Sequence, residues 1–277
     1  MLQQTYIDRL ITTALEEDIH YIDVTTDNLL DDQHTSEAYY LAKDSGVLCG
    51  IEIAKRVFEL VGGNFSMDIR IHDGEKVQKG DIIATMTGST KTLLKGERTA
   101  LNILQHMSGI ATATSRCVEL VAGTNAQITD TRKTLPGLRP LQKYAVTVGG
   151  GKNHRYNLSD GAMLKDNHID AYGGITPAVA ALRKKIGHMV KIEVEVRTLA
   201  ELEEALSAGG GLSNPRSSRG RSPTTRSSAA AAAAAPETQR TVLFLCSCVR
   251  MRLSSRGVRM AGCCISSRRY CSPSRSM

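Results

Sequence analysis

Aromatic residues are almost missing from this chain: 277 residues hold no tryptophan and three phenylalanines, so the interior has to be filled by Ile, Leu, Val, Ala and Met. Nor is there any run near the ~20 apolar residues that a membrane-spanning helix needs. The opening MLQQTYIDRL lacks a basic segment leading into an apolar one, which argues against a secretory signal and for a cytoplasmic protein. Cysteine is scarce over the first 209 residues, where only Cys49 and Cys117 occur, too few for a disulfide framework. The remaining cysteines are Cys246, Cys248, Cys263, Cys264 and Cys271. Cys246 and Cys248 are too close for the usual metal knuckle and no histidine follows at ligand spacing, so a zinc site is not expected.

Charge divides the chain at the same place. Residues 210–277 carry 12 arginines, no lysine and a single acid, Glu237, whereas residues 1–209 are mildly acidic, 23 basic side chains against 27 acidic. The formal net charge of +7 therefore belongs to the tail and says nothing of the body.

The length suits one large domain or two modest ones. Ile7, Leu10, Ile11, Ala14 and Leu15 fall at helical spacing. Tyr39 to Leu48 reads as a strand, Ile51 to Leu60 as a helix, and Met67 to Thr87 as two strands about the turn in DGEKVQKGD. Together these predict a small α+β domain over residues 1–104. The hairpin VQKGDIIATMTG is shared in style with biotinyl and lipoyl carriers, but no exposed lysine tip follows, so it reads as structural sheet. A long amphipathic helix is expected from Gly96. After it, short apolar strands (AQITD, AMLKD, KIEVEV) alternate with helical stretches (TPAVAALRKKI, LAELEEAL). That alternation predicts parallel strands joined by crossover helices, an α/β barrel over residues 105–208 with its site at the strand ends. From Gly209 the periodicity ends in a Gly/Ser/Arg/Ala-rich stretch with seven consecutive alanines. This composition predicts disorder over 209–277 apart from a short strand in TVLFLCSCV.

Side chains that are cationic or become so on protonation gather at the predicted strand ends: Arg132 and Lys133 after AQITD, His154 and Arg155 after the glycines Gly149 to Gly151, and Lys165 closing AMLKD. Singly, each is readable as solvated charge or a satisfied structural histidine; His168 is read as structural. Jointly, five such groups must repel one another unless an anion sits among them. Arginine's planar fork and lysine's point charge suit carboxylate and phosphate, so a polyanionic small molecule is expected. The glycine run is not a Walker loop, because Gly-Lys-Ser/Thr is absent. Glu193 and Glu195 share one strand face, where acids suit ribose hydroxyls or Mg²⁺; Glu195 is preferred.

The segments TRKTLPGLRPLQKYAVTVGGGKNHRYNLSDGAMLKDNHI, GERTALNILQHMSGIAT, LEEDIHYIDVTTD and DGEKVQKGDIIA closely resemble the quinolinate phosphoribosyltransferase family (nicotinate-nucleotide pyrophosphorylase, carboxylating), collinearly over about residues 1–208. The resemblance implies an N-terminal open-faced sandwich followed by an α/β barrel. It implies a homodimer, or a higher oligomer, in which one subunit caps its partner's barrel, with Arg98 reaching the neighbouring site. By the same resemblance Thr131, Arg132, His154, Arg155 and Lys165 hold substrate, with Arg132, His154, Arg155 and Lys165 at the two carboxylates of quinolinate. Lys133 and Glu195 lie near phosphoribosyl pyrophosphate, whose Mg²⁺ is bound mainly through the pyrophosphate. Lys133, Lys165 and Glu195 are the catalytic candidates. The reaction implied gives nicotinate mononucleotide, CO₂ and pyrophosphate in NAD biosynthesis.

The family pattern continues, after the helix matching LAELEEAL, into a Leu-Asp-Asn strand and glycine-rich phosphate turns that are not recognisable here after Gly209. The barrel is therefore expected to be incomplete, and loss of reading frame is the preferred reading of the tail. Three other readings stand beside the enzyme: a truncated product that only binds quinolinate or dimerises, a nicotinate-using salvage transferase, and nucleic-acid binding through the arginine-rich tail. The last is disfavoured because such a tail normally follows a finished domain.

Overall fold

The computed structural model describes residues 2–210 and, beyond them, the backbone at 211–213, 240–241, 249–255 and 258–259. Helices α1 (Gln4–Asp18) and α2 (Val24–Leu29) open the chain. Antiparallel strands follow, interrupted by a helix: β1 (Thr35–Ala42), β2 (Gly46–Val47), α3 (Ile51–Val61), β3 (Phe65–Ile69), β4 (Lys76–Val77) and β5 (Ile82–Ser89), with β1, β5 and β3 adjacent in one sheet and β2 and β4 paired in a second. On β1, Ser36, Ala38, Tyr40 and Ala42 point inward and their neighbours outward, as the period of two requires. Ala38, Tyr40 and Ala42 share a core with Ile83 and Met86 of β5, Phe58 of α3 and Leu93 of the next helix. This is the expected α+β domain.

Strand β5 runs straight into α4 (Thr90–Leu120), a single helix of 31 residues. It begins six residues before the expected start at Gly96. Gly96 sits inside the helix because α3 crosses there: a Cβ would lie 2.5 Å from Phe58 Cδ1. Since α4 packs on both α3 and the first barrel helix, residues 104 and 105 lie within one rigid element and the two domains share it.

The second domain contains β6 (Ile128–Thr129), α5 (Arg139–Val148), β7 (Ala162–Leu164), α6 (Asp166–Tyr172), α7 (Ile175–Arg183), β8 (Ile192–Glu195), α8 (Leu199–Ser207) and β9 (Gly211–Ser213). Strands β7, β8 and β9 pair in parallel in that order. Ile192 and Val194 of β8 are buried with Val179, Ile169 and Ala205 of the covering helices, while Glu193 and Glu195 take the other face. The parallel sheet thus continues five residues past the expected barrel limit at 208. Between β6 and β7 the chain at Lys152 bridges Thr129 in parallel.

Of the predicted tail, β10 (Arg240–Thr241) lies parallel to β6 and β11 (Val249–Ser255) antiparallel to β1, with β12 (Val258–Arg259) along β11. The rest of the expected disorder, the alanine run, the cysteines and residues 242–248 of the TVLFLCSCV strand lie outside the described residues.

Candidate active site

The site forms where three parallel segments end. After β6 the chain turns through Asp130 to Thr134. Thr131 Oγ1 accepts from the Lys133 N–H at 3.0 Å, which tightens the turn carrying Arg132. The loop is anchored from behind. Thr134 Oγ1 accepts from Arg139 Nε (3.0 Å), Arg139 also donates to the Tyr156 carbonyl (3.2 Å), and Gln142 Oε1 accepts from the Leu135 N–H (3.0 Å). Lys133 is exposed.

The second segment arrives through the glycine run, which closes the gap between α5 and α4. A Cβ on Gly149 would lie 2.4 Å from the Ala111 carbonyl oxygen, and one on Gly151 2.8 Å from Val146 Cγ1. Gly149 and Gly151 are there for close packing. The segment delivers His154 and Arg155, both half-buried.

His154 Nε2 lies 2.7 Å from Glu193 Oε2. Arg155 donates to the Gly161 carbonyl (3.0 Å) and contacts Met163 Sδ (3.3 Å). Burial lowers the Arg155 pKa, the Arg132 guanidinium nearby lowers it further, and Glu193 opposes both. Arg132 Nε is itself buried with no hydrogen-bond partner among the described residues. Lys165 Nζ reaches Glu195 Oε2 at 4.0 Å, with the lysine side chain about half exposed.

The structure therefore brings Arg132, His154, Arg155 and Glu193 together and sets Lys165 beside Glu195. The two acids of β8 intersperse the cations, Glu193 beside His154 and Glu195 beside Lys165. Glu193, ranked below Glu195 on sequence, is the one that meets His154. His168 has the structural role expected of it, its Nδ1 accepting from the Lys165 N–H at 3.0 Å at the start of α6. Arg98 is exposed on α4, and among the described residues no hydrogen bond or ion pair ties it to this cluster. Sequence reasoning missed the ion pair behind His154, formed by Lys143 of α5 and Asp130, both buried. Its only sequence signals are a lysine on the buried face of a helix and an acid closing a buried strand.

Comparison with known proteins agrees with the two-domain fold. The family "Quinolinate phosphoribosyl transferase, N-terminal domain" matches residues 23–108, and the corresponding C-terminal domain matches residues 110–213. A probable nicotinate-nucleotide pyrophosphorylase (carboxylating) of Bacillus subtilis (strain 168) is 44% identical over 203 residues, covering 73% of this chain and 70% of that protein. The nicotinate-nucleotide pyrophosphorylase (carboxylating) of Mycobacterium leprae is 42% identical over 200 residues, 71% of this chain and 70% of that one. Among solved structures, NadC from Streptococcus pyogenes superposes with a TM-score of 0.83 at 34% identity, covering 92% of this chain and 98% of that one. Nicotinate-nucleotide pyrophosphorylase from Francisella tularensis does so with a TM-score of 0.79 at 29% identity, over 92% and 98%. With both domain matches in chain order across the sheet, the shared helix and the strand-end site, this chain belongs to the quinolinate phosphoribosyl transferase family.

Proposed function

We propose that the chain transfers phosphoribosyl from phosphoribosyl pyrophosphate to quinolinate with decarboxylation, yielding nicotinate mononucleotide, pyrophosphate and CO₂ for NAD synthesis. The observation that carries the reading is Arg132. Its Nε is buried and unpartnered beside a second guanidinium, Arg155, whose charge its own disfavours. A buried donor without an acceptor and two adjacent cations are both costly, and a ligand carboxylate relieves both at once.

His154 and Lys165 add an imidazole and an ammonium on the flanking segments, groups that suit the second carboxylate of quinolinate. A monocarboxylate such as nicotinate would leave part of the cluster unmatched. Thr131 shapes the loop, and Lys133 and Glu195 are assigned to phosphoribosyl pyrophosphate. In the reaction the pyridine nitrogen lone pair bonds to the anomeric carbon as the bond to pyrophosphate breaks. The ring nitrogen, now cationic, then stabilises the electron pair left at the adjacent carbon as CO₂ departs, and that carbon takes a proton. The protein's share is positioning and charge stabilisation, with no covalent enzyme intermediate.

Among the described residues no three ligating side chains converge on a metal site. The half-buried Glu195 carboxylate fits a magnesium ion held mainly by substrate oxygens. Such an ion would neutralise charge on the leaving pyrophosphate. We assign Arg98, exposed on α4, to a partner subunit's site in a homodimer. Among the described residues no helix is long and apolar enough to cross a membrane, and we place the enzyme in the cytoplasm.

A second reading, a chain that binds quinolinate without turnover, is favoured by one observation: every cation assigned to quinolinate precedes Ser213, where the family match ends. Calorimetric titration with quinolinate and with phosphoribosyl pyrophosphate, beside a turnover assay, separates the two. Turnover that Lys165→Ala abolishes supports the enzyme. Quinolinate binding alone supports the second reading, and binding of neither removes both.

A further inference from the structure

We propose that the buried Lys143–Asp130 pair is a positioning device for the quinolinate site, clamping the backbone of His154 so that His154 and Arg155 face the ligand. The inference rests on the function proposed above. Lys143 and Asp130 are ion-paired with side chains only 2% and 5% exposed. Asp130 Oδ1 accepts from the His154 N–H at 2.8 Å, and Lys143 Nζ donates to the His154 carbonyl at 3.1 Å. Both polar groups of one backbone residue are thus held by the two members of a single pair. Asn153, with its amide nitrogen turned toward them, donates to Asp130 Oδ2 at 2.5 Å and to the Lys143 carbonyl at 3.0 Å.

The place of this clamp follows from where the backbone ladder stops. Lys152 N–H donates to the Ile128 carbonyl at 2.8 Å and its own carbonyl accepts from the Asp130 N–H at 3.1 Å. Among the described residues no further ladder bond joins these two segments before the loops bearing Arg132 and Arg155. Asp130 directly precedes the first loop and His154 lies in the second. The pair therefore couples the two loops beyond the end of their sheet pairing. A buried ion pair is a poor source of net stability, because apolar replacements of similar volume are often as stable. Its geometric consequence is the better reason for its presence. Lys143 contacts no ligand group in this assignment; it acts through His154 and Arg155.

The test compares the unaltered full chain with the double variant Lys143→Met/Asp130→Asn, which removes both charges together and leaves none buried alone. Each is titrated calorimetrically with quinolinate and with nicotinate, and its thermal melting is recorded. A purely structural role would weaken both ligands alike. The clamp predicts that quinolinate affinity falls by about tenfold or more while nicotinate affinity changes far less, so the preference collapses. An unchanged preference in a folded double variant overturns the clamp. Absence of any quinolinate preference in the unaltered chain instead overturns the function on which it rests. Hydrogen exchange of the His154 amide in the unaltered chain gives a second check that needs no variant to fold. Slow exchange supports the clamp, and exchange as fast as in the exposed residues 157–160 overturns it.

Discussion

Tyr144 of α5 donates its hydroxyl to Asp73 Oδ2 at 2.9 Å, and the other oxygen of the same carboxylate accepts the N–H groups of Gly50 (2.8 Å) and Ile51 (3.0 Å) at the start of α3. One carboxylate therefore caps a helix of the first domain and ties that domain to the second. Burial raises the Tyr144 pKa well above its ordinary value, and Asp73 raises it further, so the phenol remains a donor wherever the protein is folded.

Tyr144→Phe removes the tie and leaves the cap, with an expected loss of about 1 kcal/mol. Asp73→Ala removes both, about 2 kcal/mol. In the Asp73→Ala background, Tyr144→Phe should cost close to nothing. Urea denaturation of the four proteins checks this, and equal costs of Tyr144→Phe in both backgrounds would contradict the tie.

The glycine run makes a second prediction, because its members are required for different reasons. Gly149 lies against α4 backbone that cannot move aside, so Gly149→Ala should cost about 2 kcal/mol through overpacking. Gly150 has φ +88° with only Val118 side-chain atoms near, so Gly150→Ala should cost about 1 kcal/mol of backbone strain. Thermal melting ranks them. A loss of ligand binding without loss of stability in Gly149→Ala would mean that the run touches ligand after all.

Acid stability offers a third. Asp23 Oδ1 accepts from the N–H groups of Thr26 (2.9 Å) and Thr25 (3.1 Å) as the N-cap of α2. Hydrogen bonds, from the Thr26 side chain foremost and then from the Thr26 and Thr25 N–H groups, hold its pKa below the ordinary 3.8. A carboxylate depressed on folding contributes stability above its unfolded pKa and loses it as pH falls through the folded value. Asp23→Asn keeps the acceptor oxygen without the titrating charge. The unaltered chain should melt higher than the variant near neutrality, and the gap should close as pH falls below about 4. A gap constant with pH would show that the charge contributes nothing.

What could be read ahead of the structure follows from local patterning. The acids of β8 were placed on one face because strand side chains alternate, whatever lies around them. Ile51 to Leu60 was legible as helix from its own spacing. The start of α4 was not, because β5 passes into it with no turn residue between Ser89 and Thr90. Gly96 looked like a beginning, yet its cause is Phe58 on another helix. The same holds at the site. Strand-end cations are visible as a list, but the pairing of His154 with Glu193 joins residues 39 apart in sequence. The burial of Lys143 likewise depends on an acid from a different element, and no periodicity encodes that partnership.

The last prediction sets function against stability at Arg132. Its Nε is a buried donor without a partner among the described residues, and its charge opposes that of Arg155. Lysine has no donor at that point of the side chain and offers a rotatable point charge in place of a planar fork. Arg132→Lys should therefore leave melting temperature unchanged or raise it, since the orphaned donor is gone. The same substitution should weaken quinolinate by about tenfold or more, because a bidentate carboxylate contact becomes a single one. Thermal melting and calorimetric titration of the same preparation decide it. A variant that loses stability and keeps affinity would show that Arg132 serves the fold, and that the unpartnered guanidinium is not where the carboxylate binds.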